Sequence, residues 1–141
     1  MEPSVRWFNS TEVCQLTGLT YRRVDYWVSK GLLIPSGSAQ NPGAGYYRKF
    51  HLYDVLQLAV LHEIMDAFAG QQKGCPLTFV RDISMYIAPE LPQVVSDYER
   101  GNSTSWKFEV PISHRVAIVV DVGVIVREIL ENAEERVGLH A

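Results

Sequence analysis

Between Thr20 and Pro35 the chain sets Tyr21, Arg22, Arg23, Tyr26 and Lys30 within ten residues of one another. An arginine fork can grip O6 and N7 of a guanine or two oxygens of a phosphate, and a tyrosine hydroxyl donates readily to phosphate. The chemistry open to this set is therefore non-covalent recognition of duplex DNA. A second set, Tyr47, Arg48 and Lys49, follows a glycine-rich segment and suits contact with the phosphate backbone. Either helix arginine could read a base, and Tyr47 could equally pack on Trp27.

These side chains need a helix to present them, and the sequence marks both of its ends. Thr20 is a suitable N-cap, accepting from a first-turn N–H that has no partner within the helix, and Gly31 can take the left-handed conformation that stops it. Val24, Trp27 and Val28 recur at the spacing of a buried stripe, leaving Arg22, Arg23, Asp25, Tyr26, Ser29 and Lys30 on the remaining surface. Upstream, Asn9 to Thr17 reads as a shorter helix with Asn9 as cap, Glu12 completing a capping box, and Val13 and Leu16 facing inward. Gly18, Leu19 and Thr20 make the turn between them. Two short helices around a glycine turn are the helix-turn-helix plan, whose second helix enters the major groove. A charged helix surface is ordinarily just solvated, but cap, turn, glycine stop and basic strand in this order favour DNA contact.

The stretch from Phe8 to about Phe68 resembles the winged helix-turn-helix domain of MerR-type transcription regulators. The likeness rests on Gly31-Leu32-Leu33-Ile34-Pro35, then Tyr47-Arg48-Lys49-Phe50, then Asp54-Val55-Leu56-Gln57-Leu58, in the family's order and at similar spacing. Where the commonest family pattern has Arg-Tyr-Tyr, this chain has Asp25-Tyr26-Trp27, so the family's arginine contact does not carry over to Asp25. An acid three residues after Arg22 is instead expected to orient Arg22 or an arginine of the wing. Tyr-Arg-x-x-Asp-Tyr-Trp is similar to a subset associated with actinobacteria, in which a strand precedes a Gly-x-x-x-Arg-Glu helix, here Gly123, Arg127 and Glu128. The resemblance implies double-stranded DNA as ligand and a homodimer, and it admits RNA polymerase at the promoter as a further partner. Activation and repression both stay open.

The net charge of −3 conceals an uneven distribution. Residues 1–50 hold six basic and three acidic residues, whereas the rest hold seven and thirteen. A basic head on an acidic body suits a protein with one end on DNA, the body discouraging indiscriminate sticking. Hydrophobic residues make up 47% of the 141, enough for a buried core, and no apolar run is long enough to cross a bilayer. With no secretory signal in Met1 to Trp7, the expected location is cytoplasmic, at the nucleoid. Cys14 and Cys75 are too few and too far apart for a disulfide framework or thiolate site, and His51, His62, His114 and His140 lack zinc-site spacing. No metal and no cofactor are expected. Nor is an enzyme: no nucleophile or paired-carboxylate arrangement is present, and Gly43-Ala44-Gly45 lacks the lysine of a phosphate loop.

The expected fold is mainly α with small β elements: a winged helix-turn-helix domain over residues 1–92 and a small α/β module over 93–141 for dimerisation or effector binding. Ser36 to Gly45 reads as the wing tip and Tyr46 to Phe50 as its returning strand. Leu52 to Phe68 is a scaffold helix, Pro76 opens a helix to about Ile87, and Ala88 to Pro92 ends it at the domain boundary. Beyond lie a short helix at Val94 to Arg100, strands at Trp106 to Ile112 and Val116 to Val120, and a last helix from Gly123 to Val137. The unbroken apolar run of the second strand suggests burial on both faces or at a subunit contact. Trp7, Trp27 and Phe50 are assigned to the interior, and Tyr98, Trp106 and Phe108 to the core of the module in preference to a ligand pocket. The alternatives to a dimeric regulator are an architectural, excisionase-like DNA-bending accessory protein and an adaptor whose acidic module binds a partner.

Overall fold

The computed structural model describes residues 7–33, 48–68, 77–101, 106–111 and 114–136. The elements run β1 (Trp7–Phe8), α1 (Ser10–Thr17), α2 (Tyr21–Ser29), β2 (Phe50–His51), α3 (Leu52–Ala67), α4 (Leu77–Ile87), α5 (Leu91–Glu99), β3 (Lys107–Pro111), β4 (Ala117–Asp121) and α6 (Val122–Arg136). The architecture is mainly α, with two antiparallel two-stranded sheets, β1 with β2 and β3 with β4.

Local chemistry accounts for the first half. The Asn9 side chain accepts from the Glu12 N–H at 2.8 Å, and the Asn9 N–H donates back to the Glu12 carboxylate at 3.1 Å, a complete capping box on α1. Gly18, at φ +77°, ends α1 and donates to the Cys14 carbonyl at 2.9 Å. Gly31, at φ +75°, ends α2: its N–H donates to the Val28 carbonyl and the Leu32 N–H to that of Trp27, each at 3.0 Å. These two bonds satisfy carbonyls that the helix leaves open, and glycine reaches this conformation without a Cβ clash.

β1 is an element the sequence reading did not foresee. Its two residues are too few to show a period, yet Phe8 pairs with Phe50 and both are fully buried. Trp7 pairs with His51 on the other face and stands 42% exposed, its ring edge-on to the imidazole at 5.6 Å. The assignment of Trp7 to the interior is thereby corrected: in a strand of period two, burying Phe8 turns Trp7 outward. Trp27 and Phe50 do lie in the core.

His51 closes β2 and opens α3. Its Nδ1 accepts from the Tyr53 N–H at 3.2 Å, while the buried Asp54 carboxylate accepts from the His51 N–H at 2.8 Å. Asp54 is thus buried because it has a capping duty. α3 contributes Val55, Leu56, Leu58, Ala59, Val60, Leu61 and Ile64 to the core.

Ala88–Glu90 forms a single 3-10 turn that runs straight into α5, so the domain boundary expected near Pro92 falls inside continuous helical structure. Pro92 sits in the first turn of α5, where its missing N–H costs no helical bond. Ile87, Leu91, Val94 and Val95 join one hydrophobic cluster with Val13 and Leu16 of α1 and with Val126, Ile129 and Ala133 of α6. α6 packs on α1, α3 and α5. Its first-turn Val124 N–H donates to Asp121 at 3.1 Å. The indole N–H of Trp106 donates to Asp97 at 2.7 Å, fastening the start of β3 to α5, and Trp106 and Phe108 pack against the core.

Candidate nucleic-acid interface

At about 100° per residue along an α-helix, the buried Val24, Trp27 and Val28 gather on one side of α2 and Arg22 and Tyr26 stand opposite them. Tyr21 and Tyr26 are 49% and 46% exposed, and Arg22, Arg23 and Lys30 are exposed as well. The helix consequently turns its polar surface outward over its full length. Thr20 caps it, the hydroxyl oxygen accepting from the Arg23 N–H at 3.2 Å. The hydroxyl hydrogen still has a donor role to play.

The cations of α2 are held differently. The Arg23 guanidinium lies 5.8 Å from the Trp27 ring centroid and the Lys30 ammonium 5.6 Å from that of Tyr26, both in cation–π range. Both follow from an i, i+4 spacing. Arg22 forms no ion pair among the described residues, and its position opposite the core aims it straight away from the domain.

Asp25 takes Arg48. The Arg48 Nη1 donates to the Asp25 Oδ1 at 2.6 Å, with the arginine side chain only 3% exposed and the aspartate 46%. Of the two expectations for Asp25, Arg22 or an arginine of the wing, the structure pairs it with Arg48 and not Arg22. Arg48 was expected to reach a phosphate; its guanidinium is instead turned inward, because a buried cation needs a close anion and Asp25 supplies one. Arg48 therefore ties the chain entering β2 to the middle of α2. Lys49, the next residue, is exposed. Period-two alternation explains the split: Arg48 and Phe50 face in and Lys49 faces out.

Tyr47 and the expected wing tip, Ser36 to Gly45, lie outside the described residues. Among the described residues no group of histidines, cysteines and acids could hold a metal, and no helix is long and apolar enough to cross a membrane. Cys14, half-buried against the core, has its thiol pKa pushed above its ordinary value by desolvation, which makes it a poor nucleophile.

Two features escaped the sequence reading. The cap at His51 was legible in the three-residue spacing of His51 and Asp54, although histidine is an uncommon N-cap. The inward turn of Arg48 had only one signal, its alternation with Phe50 across the exposed Lys49.

Residues 8–67 match the family described as MerR HTH family regulatory protein. Two relatives from Mycobacterium bovis and Mycobacterium tuberculosis, both described as uncharacterized HTH-type transcriptional regulators, are 32% identical over 59 residues. That alignment covers 42% of this chain and 26% of each relative, so the chain matches about a quarter of the length of these curated relatives. The family match falls on the segment that holds α1, α2, β2 and α3.

Proposed function

Because residues 8–67 match the MerR HTH family, we propose that the protein is a sequence-specific, double-stranded DNA-binding regulator of transcription that acts as a homodimer. The observation that carries this reading is the outward surface of α2, where Tyr21, Arg22, Arg23, Tyr26 and Lys30 are all exposed on a helix capped at both ends.

α2 enters the major groove. Arg22, centred opposite the buried stripe, reads a base edge, and Arg23 and Lys30 take flanking phosphates, each already held near an aromatic ring. Tyr26, Tyr21 and the Thr20 hydroxyl donate to the backbone. Lys49 supplies a phosphate contact just before β2. Arg48 acts behind them, as a positioning residue that ties the chain entering β2 to α2 through Asp25. A single head offers few base contacts, so useful affinity requires two heads on a partly palindromic site. Control of transcription then proceeds through RNA polymerase at the promoter.

The test is selection of bound sites from random duplex DNA, followed by light scattering of the protein with the winning duplex. An inverted repeat bound by two copies supports the reading. Direct repeats filled cooperatively by single copies would replace it with an architectural, DNA-bending role, and a pool without enrichment would remove sequence-specific binding altogether.

A further inference from the structure

The hairpin β3–β4 has two edges of opposite character. Both strands end the sheet, since no other described strand pairs with either. The β3 edge carries Lys107, Glu109 and Pro111, all exposed, the charges and proline that discourage pairing with another strand. β4 carries the uncharged run Ala117, Ile118, Val119 and Val120 before its final Asp121. Val119 is 63% exposed and Val116, just before the strand, 54%. Burial of this run on both faces, one of the two expectations from its composition, does not occur within the chain: Val120 faces the core and Val119 faces out.

We infer that β4 pairs antiparallel with β4 of a second copy, joining two hairpins into one four-stranded sheet about a two-fold axis at Ile118. The inference rests on the homodimer proposed above and supplies its contact. The register follows from charge. With the axis at Ile118, that residue faces its own copy, Ala117 faces the partner's Val119, Val116 faces the partner's Val120, and Arg115 faces the partner's Asp121. Moving the axis to Val119 sets Asp121 against alanine, and moving it to Ala117 sets Arg115 against valine. Only the Ile118 register gives both ends an opposite-charge pair. It also continues a row already present, because Lys107 stands opposite Asp121 within each hairpin. Lysine, aspartate and arginine then alternate in sign across the joined sheet, the arrangement that cross-strand pairs favour. A two-stranded hairpin is marginal alone, and doubling it gives a sheet of ordinary size.

The test uses full-length protein with Cys14→Ser and Cys75→Ser. Directly opposed residues hold their Cβ atoms within reach of a disulfide, whereas residues offset by two do not. Ile118→Cys should therefore link two chains on mild oxidation, and Val119→Cys, diagonal to its own copy, should link far less. Arg115→Asp, its fold checked by circular dichroism, sets two like-charged pairs face to face and should raise the dimer dissociation constant by about tenfold. Equal linking at 118 and 119, an unchanged dimer in Arg115→Asp, or a wild-type monomer at the highest concentration tested would each overturn the interface. If Ile118→Cys fails to fold by circular dichroism, Arg115→Asp still decides. Because all three readings are taken without DNA, failure of DNA binding alongside an intact β4 dimer would count against the regulator reading and leave the interface standing.

Discussion

Arg48 and Asp25, 23 residues apart in sequence, meet at 2.6 Å and join the chain entering β2 to the middle of α2. The pair is asymmetric. Its cation is buried and its anion half in water, so removing the anion takes from a buried charge its 2.6 Å counter-ion while removing the cation leaves a solvated carboxylate.

Asp25→Ala should therefore cost about 1–3 kcal/mol of stability, read from urea unfolding. Adding Arg48→Met to it should recover part of that loss, because methionine can occupy the same space without a charge. Simple addition of the two single effects would show that the pair is not coupled.

Arg22 and Lys49 should fail in different ways. Arg22→Ala should lose about 1–3 kcal/mol on the preferred site and discriminate less among sequences. Lys49→Ala should weaken every sequence alike and reduce the slope of log affinity against log salt by about one. A competition assay at two salt concentrations separates these outcomes, and a base-specific loss in Lys49→Ala would reverse the assignment.

Gly31 stops α2 at φ +75°, with nothing within 4 Å of the place a Cβ would occupy. Space is not the constraint there, so the penalty for a side chain is purely conformational. Gly31→Ala should cost about 1–2 kcal/mol, and Gly31→Asn less, because asparagine tolerates the left-handed region. Thermal unfolding of the two variants would show equal losses if the helix end were free to rearrange.

Cys14 carries a raised thiol pKa, caused by desolvation. Its folded form keeps a proton through a window in which the unfolded form has lost it. The associated stability is fully present below the unfolded value near 9.0 and is lost as pH rises through the higher folded value. In a Cys75→Ser background, Cys14 should react with a thiol reagent more slowly folded than in urea at mildly alkaline pH. The urea midpoint should also fall more steeply above pH 9.0 than in a Cys14→Ala control. Equal reactivity in both states would mean that the thiol is not shielded.

Where interactions are local, the sequence was sufficient. The Asn9 and Glu12 box, the turn at Gly18, the Thr20 cap, the glycine stop at residue 31 and the stripe of Val24, Trp27 and Val28 all depend on neighbours within four positions, and each is found as read. Strand β3 was legible for the same reason, in the alternation of Phe108 and Val110 against Lys107 and Glu109, and β4 in its apolar run, whereas their antiparallel pairing was not read. Tertiary structure decided what depends on distant partners. A two-residue strand such as Trp7–Phe8 has no period of its own and exists only because β2 lies beside it. The packing of α6 on α1 and α3 was invisible because an apolar stripe announces that it will be covered but not by what. The choice between a phosphate and Asp25 as the anion for Arg48 belongs to the same class: arginine's chemistry allows either, and only its inward position in the fold makes the nearer carboxylate the one it meets.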